Sequence, residues 1–180
     1  SQFGGGGYDK VEFHDGITEI HSAFESSALS GELVLPPNLK IINGPAFRET
    51  KISKIIFPDN LRVMGDGIYN WGGTFSECHN LIGTLELPKN VARIPKACFY
   101  GCYSITGLVI PEGVDIIEEN AFYGCSELKS VRADGVSRVG AFAFSECKAL
   151  KTVSFFSGLT TLGEAAFQNC AALESASCDL

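Results

Sequence analysis

Residues 109–131 read VIPEGVDIIEENAFYGCSELKSV, and this stretch decides the fold. It is entered by an alternating run, TGLVIP at residues 106–111, with Leu108 and Ile110 on one side. Alternation of period two marks a half-buried strand. Pro111 has no amide proton to donate, so the strand stops there. An apolar pair three apart follows, Val114 and Ile117, then Ala121-Phe122, Cys125 and a closing Leu128. The next run, KSVRAD, resumes the alternation with Val131 and Ala133.

The same phrase recurs in both directions. Phe24, Phe47, Phe75, Phe99, Phe122, Phe144 and Phe167 are spaced by 23, 28, 24, 23, 22 and 23 residues. Cysteine stands three residues after the last five of them, at Cys78, Cys102, Cys125, Cys147 and Cys170. The closing aliphatics are Leu29, Ile52, Leu81, Ile105, Leu128, Leu150 and Leu173. Strand-like runs follow each one, and the inward set is Leu33/Leu35, Ile55/Phe57, Leu85/Leu87, Leu108/Ile110, Val131/Ala133, Val153/Phe155 and Ala176/Cys178. The second apolar pairs are Leu39/Ile42, Leu61/Met64, Val91/Ile94, Val114/Ile117, Val136/Val139 and Leu159/Leu162. One unit of this size cannot hide its own apolar side chains, but stacked units bury them against each other. The spacing therefore predicts a solenoid of about seven coils of ~23 residues, with parallel strands ~4.8 Å apart. One face is a parallel β-sheet, and short strands, 3₁₀ or helical turns carry the Ala-Phe on the other.

The form IPEGV-x-x-I-x-x-x-AF-x-x-C-x-x-L-x-x-V resembles the BspA-type leucine-rich repeat, also called the Treponema pallidum type. The resemblance runs from about Ile17 to Asp179. It implies a right-handed leucine-rich-repeat coil. Departures are local. Ser27 and Thr50 stand where cysteine is expected, the third unit carries about five extra residues, and the last two units lack the strand-ending proline. Residues 1–16 read as a tail or cap, with Val11–Phe13 as an edge strand over the first coil. Residues 17–180 form one domain, with repeats at about 17–35, 36–57, 58–87, 88–110, 111–133, 134–156 and 157–180.

Composition narrows the function. Of 180 residues, 45% are hydrophobic and 19% charged, a globular balance. The net charge of -7 opposes a nucleic-acid binder or a polybasic membrane-surface protein. Mean hydropathy is +0.13, and no apolar run reaches the ~18 residues of a membrane span. The odd total of 7 cysteines leaves at least one thiol free. Five share one repeat position and read as small buried hydrophobes, so no disulfide is expected. Cys98 and Cys102 are the pair to check first. Cys78, His79, Cys98 and Cys102 lack the paired C-x-x-C spacing of structural zinc, and no metal or other cofactor is expected. His14, His21 and His79 have no nucleophile or carboxylate at motif spacing, so no catalytic set is read. Gly4–Gly7 lacks the Lys-Ser/Thr of a phosphate loop and reads as a linker. The acids Glu112, Asp115, Glu118 and Glu119 lack the order of a calcium loop and read as a solvated face.

Two binding surfaces are expected. The outward side chains of the strands form one continuous wall, with a middle row of Val34, Ile56, Glu86, Val109, Arg132, Ser154 and Ser177. Beside it run Glu32, Lys54, Thr84, Gly107, Ser130, Thr152 and Ser175. The apolar members call for cover or a partner. The insertion in the third unit, GDGIYNWGGT, carries Tyr69 and Trp71, residue types that anchor interfaces and stack on sugars.

The leading expectation is a non-enzymatic binding module for a protein or glycan partner. The resemblance implies a secreted or cell-surface protein that adheres to host extracellular matrix or to another cell. A structural array or an intracellular scaffold is the alternative, and an enzyme using the Trp71 loop is the remote third. The start SQFGGGGYDK has no apolar signal region and reads as a tag remnant or a processed start. The last unit carries no polar capping segment, which suggests a longer array or a homodimer through that end.

Overall fold

The computed structural model describes residues 9–68, 72–155 and 158–178. Among them no helix occurs, and short parallel strands alternate between two faces of a coil. In chain order they are β1 (Glu19–His21), β2 (Ser30–Val34), β3 (Ile41–Asn43), β4 (Lys51–Ile56), β5 (Val63–Met64), β6 (Gly83–Glu86) and β7 (Arg93–Ile94). Then come β8 (Ile105–Ile110), β9 (Ile116–Ile117), β10 (Ser130–Ala133), β11 (Arg138–Val139), β12 (Thr152–Phe155), β13 (Thr161–Leu162) and β14 (Ser175–Cys178). Even-numbered strands build the wall and odd-numbered strands build a second sheet.

The core is the stack of repeat positions that the pattern marks as apolar. Phe47, Phe75, Phe99, Phe122 and Phe144 are fully buried, and all seven repeat phenylalanines form one column. Successive ring centroids lie 5.3–5.4 Å apart, with planes within 8° of parallel. Burial of each such ring contributes roughly 2–3 kcal/mol. The column weakens at its ends, where Phe24 and Phe167 are only half-buried. The last coil departs from expectation for the same reason. Leu162 and Ala176 are exposed because no further described coil lies over them, and the Cys178 side chain lies outside the described residues.

The Ala-Phe corner is neither helical nor 3₁₀, contrary to one of the expected forms. Its amides alternate in direction. Phe99 N–H donates to Ala121 O of the next coil at 2.8 Å, whereas Tyr100 N–H turns back to Ala97 O at 3.1 Å. The pattern repeats at Phe122 (to Ala143, 2.8 Å) and Phe144 (to Ala166, 2.8 Å). Left-handed residues create it: Ala97, Asn120, Phe142 and Ala165 have φ of 50–57° two residues before the ring. Gly101, Gly124, Glu146 and Asn169 have φ of 58–72° two residues after it. A sustained helix cannot form across such alternation.

Val11–Phe13 caps the first coil but forms no strand. Its hold is a ring edge, since Phe13 meets Phe24 at 5.8 Å and 89°. Ser30 N–H also bonds Asp9 O at 2.9 Å. Gly4–Gly7 lie outside the described residues.

The third unit changes the architecture more than its length alone suggests. The wall divides into β2-β4 and β6-β8-β10-β12-β14, and the second sheet divides into β1-β3-β5 and β7-β9-β11-β13. Both ladders part beside the insertion. The phenylalanine corner runs through it, with Phe47 N–H on Thr74 O at 2.9 Å and Phe75 N–H on Cys98 O at 2.9 Å.

Candidate partner-binding surface

The strand register puts the expected middle row in line. Val34 pairs with Ile56, Glu86 with Val109, Val109 with Arg132, Arg132 with Ser154, and Ser154 with Ser177. The neighbouring row aligns likewise, Glu32 with Lys54 and Thr84 through Gly107, Ser130 and Thr152 to Ser175. Val34 is 56% exposed, Ile56 39% and Val109 51%, large apolar surfaces turned to water. Glu86 and Arg132 are exposed and Ser154 is half-buried.

The wall is not continuous, which corrects the sequence expectation. Between Ile56 and Glu86 the ladder fails, because the insertion displaces the third coil's path into β6. One bond, Ile82 N–H to Ser53 O at 3.2 Å, still ties the halves at their base. Above it lies a cleft of 170 Å³ lined by Lys54, Ile56, Ile82, Thr84 and Glu86. Ile82 is 62% exposed and extends the apolar strip across this break. Sequence reading missed it, yet a signal existed. The residue after the closing aliphatic is polar in every other unit: Ser30, Ser53, Thr106, Lys129, Lys151 and Glu174.

Charges on the wall pair locally. Lys54 Nζ lies 3.2 Å from Glu32, and Arg132 meets Asp134 at 2.8 Å. Such exposed pairs contribute little stability, and Glu86 stands in the row between Ile56 and Val109. Tyr69 and Trp71 lie outside the described residues.

The remaining candidate clusters resolve into structure. Cys78, Cys102, Cys125, Cys147 and Cys170 are buried, and each donates its thiol proton to the phenylalanine carbonyl of the coil before, at 3.1–3.5 Å. Thr50 fills that repeat position with a hydroxyl on Phe47 O at 2.8 Å. Cys98 points at Met64 O instead, 3.7 Å away, so Cys98 and Cys102 are directed at different carbonyls. The six described cysteines are free thiols. His79 turns outward to Glu77 at 2.7 Å and stacks on Tyr103 at 4.4 Å, away from the buried sulfurs. His21 meets Glu19 at 3.0 Å, and His14 accepts from Gly16 N–H at 3.0 Å. The acids separate as well. Glu118 holds Arg93 at 3.0 Å, Glu119 faces Lys96 at 3.4 Å, and Asp115 accepts from Ser137.

Sequence and structure comparisons agree on one class. The profile for the BspA type leucine rich repeat region, in six copies, matches residues 2–72 and 71–174. No curated protein sequence matches significantly. A leucine-rich repeat protein from Bacteroides ovatus is similar, with a TM-score of 0.73 at 23% identity, over 92% of this chain and 48% of that one. The Treponema pallidum leucine rich repeat protein gives 0.57 at 23% identity, over 81% and 57%. A leucine rich cell surface protein from Faecalibacterium prausnitzii gives 0.50 at 19% identity, over 89% and 63%. These likenesses show the fold, and the chain spans about half the length of the first two. With the repeat profile covering nearly all its residues, the chain belongs to the BspA-type leucine-rich repeat family.

Proposed function

We propose that the chain is a non-enzymatic binding module, displayed at a cell surface, that adheres to a protein partner through its wall. The observation that carries this reading is the set of apolar side chains Val34, Ile56, Ile82 and Val109, 39–62% exposed and turned outward along a wall with a 170 Å³ cleft between Ile56 and Ile82. Exposed apolar side chains interspersed with charge, as Glu86 and Lys54 are here, are what protein interfaces use. A cleft between Ile56 and Ile82 fits one aliphatic or aromatic anchor side chain. The repeat fold supports a binding role, and surface display is supported by the likeness to a protein described as a cell surface protein. A glycan partner is less favoured by the described aromatics. Tyr100 and Tyr123 stack face to face at 5.0 Å and His79 and Tyr103 at 4.4 Å, so each ring has one face taken by its neighbour.

The test is a binding screen against extracellular-matrix proteins and glycan arrays, repeated with Ile56→Asp, Ile82→Asp and Trp71→Ala. A protein ligand should lose at least ~10-fold in affinity with either aspartate, at unchanged melting temperature. Full binding by both aspartate variants sinks the wall reading. Protease treatment of intact cells of the source organism tests display, since a surface protein is removed and an internal one is spared.

A further inference from the structure

The second sheet repeats one hydrogen-bond device at its coil junctions. Two successive N–H groups converge on a single carbonyl oxygen of the coil before. Lys40 and Ile41 converge on Thr18 O at 2.8 and 3.3 Å, and Arg62 and Val63 on Lys40 O at 2.9 and 3.1 Å. Asp115 and Ile116 do the same on Ala92 O (2.8 and 3.3 Å), and Ser137 and Arg138 on Asp115 O (2.9 and 3.2 Å). Thr160 and Thr161 close the series on Ser137 O at 2.8 and 3.1 Å.

Ala92 and Arg93 hold the same place in the fourth coil, and their counterpart acceptor is Arg62 O. That bond pair is not made, because β5 and β7 do not pair. Among the described residues neither N–H has an acceptor. A cavity of 260 Å³ opens at this seam, lined by Arg62, Asp66, Ala92, Arg93 and Glu118 among others. Ala92 and Arg93 are exposed at this seam, so the two N–H groups stand side by side and open to an oxygen ligand in the place that a carbonyl fills at the other junctions.

The charges around the cavity select the ligand. Glu118 is already engaged, with Oε1 accepting from Arg93 Nη1 at 3.0 Å and Oε2 from Lys96 N–H at 3.0 Å. Gly67 packs against it, since a Cβ there would stand 3.0 Å from Oε2. Asp66 accepts from Ile68 N–H at 3.3 Å. Arg62 differs: its Nη1 reaches only the carbonyls of Asp59 (2.7 Å) and Leu61 (3.1 Å), and it meets no carboxylate among the described residues.

We propose that the seam between the third and fourth coils is a carboxylate-binding site. One carboxylate oxygen takes the place that a carbonyl oxygen holds at the other junctions, shared by Ala92 N–H and Arg93 N–H. The second oxygen faces the Arg62 guanidinium, a charge-assisted contact stronger than a neutral one. The cavity admits a carboxylate with a few attached carbons, such as an acidic side chain of a polypeptide or a free dicarboxylate. The site lies on the second sheet and stands independently of the wall.

The test is an amide-resolved NMR titration of the whole ¹⁵N-labelled chain. The probes are acetyl-glutamate-amide, succinate and, as the neutral isostere, acetyl-glutamine-amide. The Ala92 and Arg93 amide signals should shift together and saturate with a carboxylate, and should stay in place with the glutamine probe. Arg62→Gln should weaken binding at least ~10-fold, while Arg138→Gln, on the same sheet but away from the seam, should leave it unchanged. Tighter binding of the glutamate probe identifies a polypeptide side chain as the source, and tighter binding of succinate identifies a small dicarboxylate. Absent or non-saturating shifts, an equal response to glutamine, or wild-type binding by Arg62→Gln would each overturn the proposal.

Discussion

The Cys102 thiol donates to the Phe75 carbonyl of the preceding coil at 3.1 Å, so the sulfur column and the ring column are cross-linked to each other. Each cysteine therefore both fills the core and ties one coil to the next. Thr50, in the same repeat position, lies 3.4 Å from Cys78 and shows that a hydroxyl can take the place. Cys102→Thr should fold and lose no more than about 1–2 kcal/mol, whereas Cys102→Leu, which adds volume and removes the donor, should cost ~1–3 kcal/mol or more. Urea unfolding of the two variants compares them directly.

Four buried thiols give the protein an alkaline limit. Burial pushes the thiols of Cys98, Cys102, Cys125 and Cys147 up from the ordinary value of 9.0. At higher pH the unfolded chain releases these protons and the folded chain keeps them. The unfolded state then binds fewer protons, so stability falls as pH rises past ~9, by at most ~1.4 kcal/mol per pH unit for each thiol. Denaturant midpoints from pH 7.5 to 10 should fall across that range, and a flat profile contradicts the burial of the sulfurs as acids.

Phe122 stacks between Phe99 at 5.4 Å and Phe144 at 5.3 Å and is fully buried. Phe122→Ala should cost ~3–5 kcal/mol, the range for a buried aromatic. Phe167→Ala should cost less, because its ring has a stacked partner on one side only and is half-buried. Equal losses at the two positions in chemical denaturation contradict the column as described.

Left-handed corners offer a gain as well as a loss. Gly124 has φ of 72°, and a Cβ there meets only Gly101 backbone at ordinary distance, so Gly124→Ala isolates the conformational cost, about 1 kcal/mol. Ala165 has φ of 52°, and Ala165→Gly should stabilise by up to ~1 kcal/mol for the converse reason. Melting temperatures should move in opposite directions.

Gly135 answers to space rather than to conformation. A Cβ there would collide with the carbonyl of Glu112 in the coil before. Gly135→Ala should destabilise by ~1–3 kcal/mol through overpacking. A variant as stable as the parent indicates that the two coils are further apart there.

The core and the register were legible because they repeat. Phe122, Leu128 and Val131 occupy positions that six other units restate, and the outward row from Val109 to Ser154 follows from period-two alternation. The second sheet was legible only as apolar pairs. Strands as short as Ile116–Ile117 are too brief to display alternation. The corner's handedness carried no signal, since Ala97, Phe142 and Glu146 are not residues that announce positive φ. The parting of both sheets was hidden for another reason. Five extra residues between Met64 and Phe75 can loop out locally or spread the strands, and only the placed backbone distinguishes these outcomes. The Arg62 and Ala92 seam was invisible with it, and so was the cleft beside Ile82.

The ring column crosses the third coil unbroken while the two sheets part on either side of it. Flexing at that level tears no strand pairing, whereas flexing at any other level must break ladder bonds in both sheets. Bending should therefore concentrate there, about the aromatic corner, as about the spine of a half-opened book. The Ile56–Ile82 cleft and the amide pair lie at the two places where the pages part.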